Sequence, residues 1–266
     1  MFLAGDIGGT KTNLAIYAYK DGKLCMQKNA SFPSKSHGTL VEIVREFLGD
    51  GESHLRHACF GVAGPVKDGV VQVTNLPWIV DAAEIQAELR FQQVSLLNDL
   101  EANAYGIQTL TASELLSLNP KANPQQVGNR ALISAGTGLG EAGLVWDGVS
   151  HRPFASEGGH ASFAPNSGIG DELLMFLRKE YGHVSWERVL SGMGMRNLYH
   201  FFRQRSGKPE PQWLTDMIRE GDLAAITTQM GLAQKDTVCV EALDAFAHLY
   251  GSEAGHLALK MLALGG

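Results

Sequence analysis

The chain has 266 residues, a formal net charge of −6, 44% hydrophobic and 19% charged residues, which suits one large or two medium globular domains with a sizeable core. The negative balance gives no support to binding nucleic acid or an anionic membrane, and no run of about 18 apolar residues is present to cross a bilayer. Cys25, Cys59 and Cys239 are widely spaced and the N-terminus from Met1 to Asp6 lacks signal-peptide character, so reduced cysteines in a cytoplasmic protein are expected.

Leu3 to Tyr19, LAGDIGGTKTNLAIYAY, reads as strand, glycine turn, strand. Gly8 and Gly9 let backbone amides approach an anion without a side chain in the way. Asp6 sets a carboxylate beside that turn, where it suits a hydrated Mg²⁺ better than a phosphate. A plain hairpin turn is an equally good reading of this stretch alone. It is not a Walker loop, which has a different spacing, nor a Rossmann fingerprint, after which a helix follows. Asp21-Gly22 marks a turn into a third strand through Lys23 to Phe32. Thr39 to Leu48 has helical apolar spacing with Thr39 as cap, and Gly49 to Ser53 reads as a loop. His57 to Pro65 is a buried strand with a small-residue turn, VVQVTN (70–75) an alternating strand, and AAEIQAEL a helix capped by Asp81. Val94 to Leu97 is a short strand delivering Asn98 and Asp99 to its end, with a helix over Glu101 to Ile107. Asp99 could serve there only as a helix cap. A meander followed by alternating strands and helices argues for α/β layers.

Residues 111–129 are polar, contain Pro120 and Pro124, and read as the connection between a domain at 1–110 and a larger one at 111–266. The opening layout then returns: Arg130 to Trp146, RALISAGTGLGEAGLVW, is apolar run, glycine turn, apolar run, closed by Asp147-Gly148. Two such turns, one from each half, could hold a polyphosphate; two unrelated hairpins is the alternative. Phe154 to Asn166 reads as a loop carrying Glu157 and His160. A helix follows Gly170, with Leu173, Leu174, Phe176 and Leu177 inward. Ser185 is expected to cap a helix with Glu187 in its first turn, interrupted at Gly192 and Gly194. Helices are expected at 212–220, 223–232 and from Asp236 towards Leu264, so the second half is richer in helix.

These segments together resemble the bacterial glucokinase family, within the hexokinase-type, actin-like (ribonuclease H-like) ATPase superfamily. GDIGGT (Gly5 to Thr10) is similar to its first phosphate loop, and GVAGPV with TNLPW to its interdomain segment. LLNDLEANAYG is similar to its catalytic segment, GTGLG (136–140) to its second phosphate loop, and EGGHASFAP and SWERVLSGMG to its sugar-binding segments. The resemblance implies an α/β fold of two domains around a central cleft, acting as an ATP-dependent glucose 6-phosphotransferase. It implies Asp99 as general base on the 6-hydroxyl, and Asn98, Asp99, Glu157, His160 and Glu187 on glucose. Gly5, Asp6, Ile7, Gly8, Gly9, Thr10 and Gly136, Thr137, Gly138 would serve ATP, with Asp6 holding Mg²⁺ through water. A cytoplasmic homodimer is implied, with a hexose as partner and neither nucleic acid nor membrane.

The chemistry of the residues is consistent with this. A sugar offers hydroxyls, and a site that reads them needs carboxylates, amides and imidazole. In the actin-like layout a further strand, a glycine turn against adenosine and terminal helices follow the point where this sequence stops, Leu264-Gly265-Gly266. The adenosine pocket is therefore expected to be incomplete, and an impaired, sugar-binding relative is the alternative function. A sugar-sensing regulator of the same fold is disfavoured: no DNA-binding segment precedes the first strand, and ASFAPN carries no zinc-binding cysteines.

Overall fold

A computed structural model describes residues 1–49, 55–123 and 125–266; most of the loop expected at 49–53, and Pro124, lie outside them. The chain divides into two compact units, Met1–Leu116 and Ser117–Gly266.

The first unit grows from β1 (Phe2–Ile7), β2 (Lys11–Lys20) and β3 (Lys23–Pro33), an antiparallel meander whose turns are Gly8–Thr10 and Asp21-Gly22. Asp21 and Gly22 both take positive φ, which a two-residue hairpin of this hand requires. β4 (His57–Val62) pairs parallel to β1, and β7 (Gln93–Asn98) parallel to β4, giving a five-stranded sheet in the order β3-β2-β1-β4-β7. Parallel neighbours need crossovers, and α1 (Leu40–Leu48) and α2 (Ala82–Leu89) lie in them. Thr39 accepts from the amide of Glu42, and Asp81 from those of Ala83 and Glu84, so both expected caps are present. α1 turns Leu40, Val41, Ile43, Val44 and Phe47 inward onto Leu3, Ile7, Phe60 and Val62. α3 (Asp99–Ile107) follows β7 directly.

One expected strand is shorter than its pattern. VVQVTN contributes only β5 (Val70–Gln72), which pairs with β6 (Ile79–Asp81). The chain turns back because Asn75 adopts a left-handed conformation (φ 65°), and the Gln72 amide donates to the carbonyls of Leu76 and Trp78 across the turn.

The second unit repeats the meander. β8 (Arg130–Ala135), β9 (Leu139–Trp146) and β10 (His151–Ser156) form an antiparallel sheet in the order β10-β9-β8. The loop expected from Phe154 is thus strand as far as Ser156, which pairs with Glu141; a 3₁₀ turn at Gly158–His160 follows. The remainder is helical: α4 (Gly168–Tyr181), α5 (Gly192–Ser206), α6 (Gln212–Glu220), α7 (Leu223–Leu232) and α8 (Thr237–Met261). Their core gathers Leu173, Leu177, Trp186, Leu198, Tyr199 and Phe202.

Ser185 does not cap a helix with its side chain; it precedes a 3₁₀ turn, Trp186–Arg188. The cap is Ser191, whose hydroxyl accepts from the amide of Gly194 and donates to the carbonyl of Glu187. The two glycines that looked like an interruption are the first turn of α5. Gly194 is there because a Cβ would stand 2.4 Å from the backbone carbon of Val189.

Candidate active site

In the first unit, β1 ends in the glycine turn. The amide of Gly8 donates to the carbonyl of Lys11 (2.9 Å), closing the turn. The amides of Gly9 and Thr10 have no protein acceptor among the described residues, so they are the ones an anion can reach. Gly9 is pressed by the backbone at 74–75, since a Cβ would lie 3.0 Å from the carbonyl oxygen of Thr74. Gly5 and Ile7 are strand residues: Phe60 and Leu14 fill the space beside Gly5, and Ile7 is buried in the core.

What holds this turn from below is not visible in the sequence pattern. Ser34 and Thr12 are fully buried. The Ser34 hydroxyl donates to the carbonyl of Gly8 (2.8 Å) and accepts from the Thr12 hydroxyl (3.0 Å), while the Ser34 amide donates to the carbonyl of Thr10 (3.0 Å). Both ends of the turn are tied to one serine.

Asp6 is exposed, and its carboxylate accepts from the Asn13 amide across the β1–β2 ladder (3.1 Å). Asn98 closes β7 and caps α3: its oxygen accepts from the amides of Leu100 (3.0 Å) and Glu101 (3.3 Å), and its nitrogen donates to the carbonyl of Gly64 (3.1 Å). The cap is therefore Asn98, not Asp99. Asp99 occupies the first helical position and accepts from the amide of Leu100 (2.9 Å). Burial raises its pKa above the usual carboxylate value, the charge of Asp6 adds to that, and the helix amides pull the other way. Gly61 lets the start of α3 approach β4, since a Cβ would meet that of Ala102 at 2.9 Å.

In the second unit, the turn Gly136–Gly138 is closed by the Gly136 amide on the Gly138 carbonyl (2.8 Å). The amide of Gly192, at the start of α5, donates to the carbonyl of Gly136 (2.8 Å). Glu187 reaches the same turn: its Oε2 accepts from the amide of Leu139 (3.0 Å). Its Oε1 lies 3.9 Å from His160 Nδ1, and His160 Nε2 lies 3.7 Å from Glu157 Oε2. Carboxylate, imidazole and carboxylate thus form an open row, beyond mutual hydrogen-bond reach and able to accept polar groups between them. The segments carrying them are joined by backbone: the Trp186 amide donates to the Ala161 carbonyl and the Phe163 amide to that of Val184. Phe163 and Trp186 pack edge to face beneath (4.9 Å between centroids). Gly159 is a close-approach residue, since a Cβ would meet the carbonyl oxygen of Leu139 at 2.1 Å. The structure gathers Gly136, Thr137, Gly138, Glu157, His160 and Glu187 in one unit, and Asp6, Gly8–Thr10, Asn98 and Asp99 in the other. A surface hollow of about 330 Å³ bordered by Met175, Phe176 and Phe201 holds none of them.

A sequence model of the glucokinase family matches residues 3–266. The chain belongs to the glucokinase family. It is 38% identical to a Synechocystis glucokinase over 291 residues, covering 100% of this chain and 81% of that one, and 34% identical to a Yersinia enterocolitica glucokinase, covering 99% and 78%. A glucokinase crystal structure from an Antarctic psychrotroph superposes with a TM-score of 0.80 at 34% identity, over 100% of this chain and 80% of that one. The Balamuthia mandrillaris glucokinase, crystallised in complex with glucose, superposes at 0.76; at 22% identity, with 98% and 76% coverage, it supports the fold alone. The fold is therefore that of the actin-like ATPases. Among the described residues no helix is long and apolar enough to cross a membrane.

Proposed function

We propose that this member of the glucokinase family transfers the terminal phosphoryl group of ATP to the 6-hydroxyl of glucose, with Asp99 as general base. The observation that carries the assignment is the setting of Asp99. It stands at the first position of α3, half-buried, with its pKa raised by burial and by Asp6. A base must accept a proton as the hydroxyl oxygen attacks phosphorus, and a carboxylate made more basic than usual does so better. The attacking oxygen forms the new O–P bond, the bond from phosphorus to the bridging oxygen breaks, and ADP departs with the electron pair. Asp99 holds the hydroxyl's proton.

Glu157, His160 and Glu187 hold the other hydroxyls. The open row they form offers acceptors at both ends and a ring nitrogen between, the donor set that a polyol needs. A site built this way rejects analogues lacking a hydroxyl by about 10⁴-fold or more, because its own polar groups are then left unpaired. Asn98 contributes mainly by fixing Asp99: its oxygen is occupied by two helix amides and one amide hydrogen by Gly64. The amides of Gly9 and Thr10 and those of Thr137 and Gly138 receive phosphate oxygens, the Gly136 amide being spent on closing its own turn.

Mg²⁺ fits the first unit through its donor chemistry. Two carboxylates, Asp6 and Asp99, repel each other across the space beside the phosphate turn, and a cation relieves that repulsion. Among the described residues no group of three or more His, Cys, Asp or Glu side chains forms a cage. Asp6 would therefore hold the ion through water, the phosphates completing its shell, as Mg²⁺ prefers. When bound it supplies neutralisation of phosphate charge. A coupled assay with glucose and Mg·ATP tests the reading. Product formation that Asp99→Asn abolishes supports it; an Asp99→Asn enzyme with normal kcat overturns the base. The cytoplasmic homodimer implied by the family is part of the same proposal, and sedimentation of the purified chain tests the dimer.

A further inference from the structure

We propose that Glu141 is a positioning residue for the Glu157–His160 turn, acting as a neutral carboxylic acid paired with Glu253 beneath Gly158. The proposal rests on the reading that this turn holds the sugar. Glu141 lies on β9 immediately after the second glycine loop, opposite Ile133 of β8 and Ser156 of β10. It is 1% exposed, and its Oε1 has no hydrogen-bond partner among the described residues. Its Oε2 presses on the turn: a Cβ at Gly158 would stand 1.9 Å from it. No cation pairs with Glu141 among the described residues.

Glu253 of α8 is fully buried and differs in its partners. His256 Nδ1 lies 3.0 Å from one oxygen and Lys260 Nζ 3.2 Å from the other. Glu253 thus has a lysine and a histidine on its oxygens while Glu141 has no ion-pair partner among the described residues, and the proposal places the proton on Glu141. In the proposed arrangement the proton on the partnerless Oε1 of Glu141 serves Glu253, its side-chain neighbour, while Oε2 stays against Gly158. This also explains the glycine: the carboxyl fills the volume a side chain at 158 would take.

The proton is held loosely enough to leave near neutral pH. Burial, and next the charge of Glu253, push the Glu141 carboxyl up to about 7, while Lys260 pulls it back. The charged and titratable groups around it are Glu253, His256 and Lys260 from α8, with Glu157 and His160 at the exposed rim of the turn; β8 and β10 bring Ile133 and Ser156 opposite it and no charge. Because the folded value lies above the ordinary 4.5, the stabilising contribution is complete below that pH and is lost as pH rises through about 7. An ionised Glu141 repels Glu253 and presses charge against the turn that carries Glu157 and His160.

The test is the pH dependence of the glucose KM in wild type, Glu141→Gln, Glu253→Gln and Glu157→Gln. In wild type KM rises above pH 7, by at most about tenfold per pH unit, the limit for binding that requires one proton; kcat at saturating glucose does not follow it. Gln at 141 donates to Glu253 as the acid does and cannot ionise, so Glu141→Gln keeps the low-pH KM and flattens the rise. Glu253→Gln removes the like charge and moves the midpoint to lower pH, which keeps the proposal falsifiable if Glu141→Gln folds poorly. Wild-type and Glu141→Gln profiles that superimpose overturn it. If Glu157→Gln leaves the glucose KM unchanged, the turn does not hold the sugar and this inference falls with that reading. If Glu157→Gln raises KM while Glu141→Gln tracks wild type, this inference alone falls.

Discussion

The two glycine hairpins share a plan and are braced by different chemistry. In the first unit the turn at Gly8–Thr10 is tied from below by two buried hydroxyls, Ser34 and Thr12, which have no further work to do. In the second the turn at Gly136–Gly138 is held by Glu187, a carboxylate also assigned to the sugar, and by the first amide of α5. With the proposed role of that turn, the first brace would affect only phosphate. With the roles proposed above, the second would couple phosphate to sugar, because one carboxylate touches the loop with one oxygen and faces His160 with the other. Substitutions in the two units should separate along this line.

The largest effect is expected at Asp99. Asp99→Asn keeps the volume and the helix position but cannot take a proton, so kcat should fall by about 10²–10⁴-fold with a glucose KM within a few-fold of wild type. In wild type the acid limb of kcat/KM should have its midpoint above the 3.8 of an ordinary aspartate, because burial and Asp6 raise it. The enzyme gains activity as pH rises through that midpoint. A pH–rate profile with its acid limb at or below 3.8 would remove Asp99 from the role.

Next come Glu187 and Glu157, which distinguish coupling from simple binding. Glu187→Ala strips the Leu139 amide of its charged acceptor, a loss of about 1.5–3 kcal/mol or roughly 10–100-fold. Both the glucose KM and the ATP KM should rise. Glu157→Ala, whose carboxylate has no bond to the loop, should raise the glucose KM alone. Steady-state kinetics with each substrate varied in turn decides the matter: an unchanged ATP KM in Glu187→Ala would dissolve the contrast between the two braces.

The backbone plan was legible because it follows from local rules. The meander, the DG turns, the caps at Thr39 and Asp81 and the terminal helices each depend on neighbours in sequence. The glycine turns were legible from their residue types, and the roles proposed for Asp99, Glu157 and His160 rest on the family resemblance, in which those types recur in order along the chain. What was not legible is the set of contacts made across long sequence separations. Ser34 meets Gly8 from the end of β3, and Glu253 meets Glu141 from the far end of the chain. Ser185 is the expected helix cap, and the structure gives that part to Ser191. Only the packing of Gly194 on Val189 decides that the helix begins after the second. Asp99 is open to a similar reading as a helix cap; Asn98 takes the cap, and Asp99 accepts only from the next amide, that of Leu100.

The smallest effect, and the sharpest test of the first brace, belongs to Ser34. Ser34→Ala leaves the carbonyl of Gly8 and the hydroxyl of Thr12 buried without a partner, and should cost about 1–3 kcal/mol of stability. That loss should appear as a lower Tm of the first unit. The Ser34 amide still donates to Thr10, so one end of the turn remains tied and the loop loosens at Gly8 only. The ATP KM should then rise a few-fold while the glucose KM stays at the wild-type value, the reverse of Glu157→Ala. Adding Thr12→Val to Ser34→Ala removes the orphaned hydroxyl and should recover part of the Tm but none of the ATP KM. The stability loss comes from an unpaired buried group, and the kinetic loss from the missing tie. Recovery of both together would mean that the loop is held by packing alone.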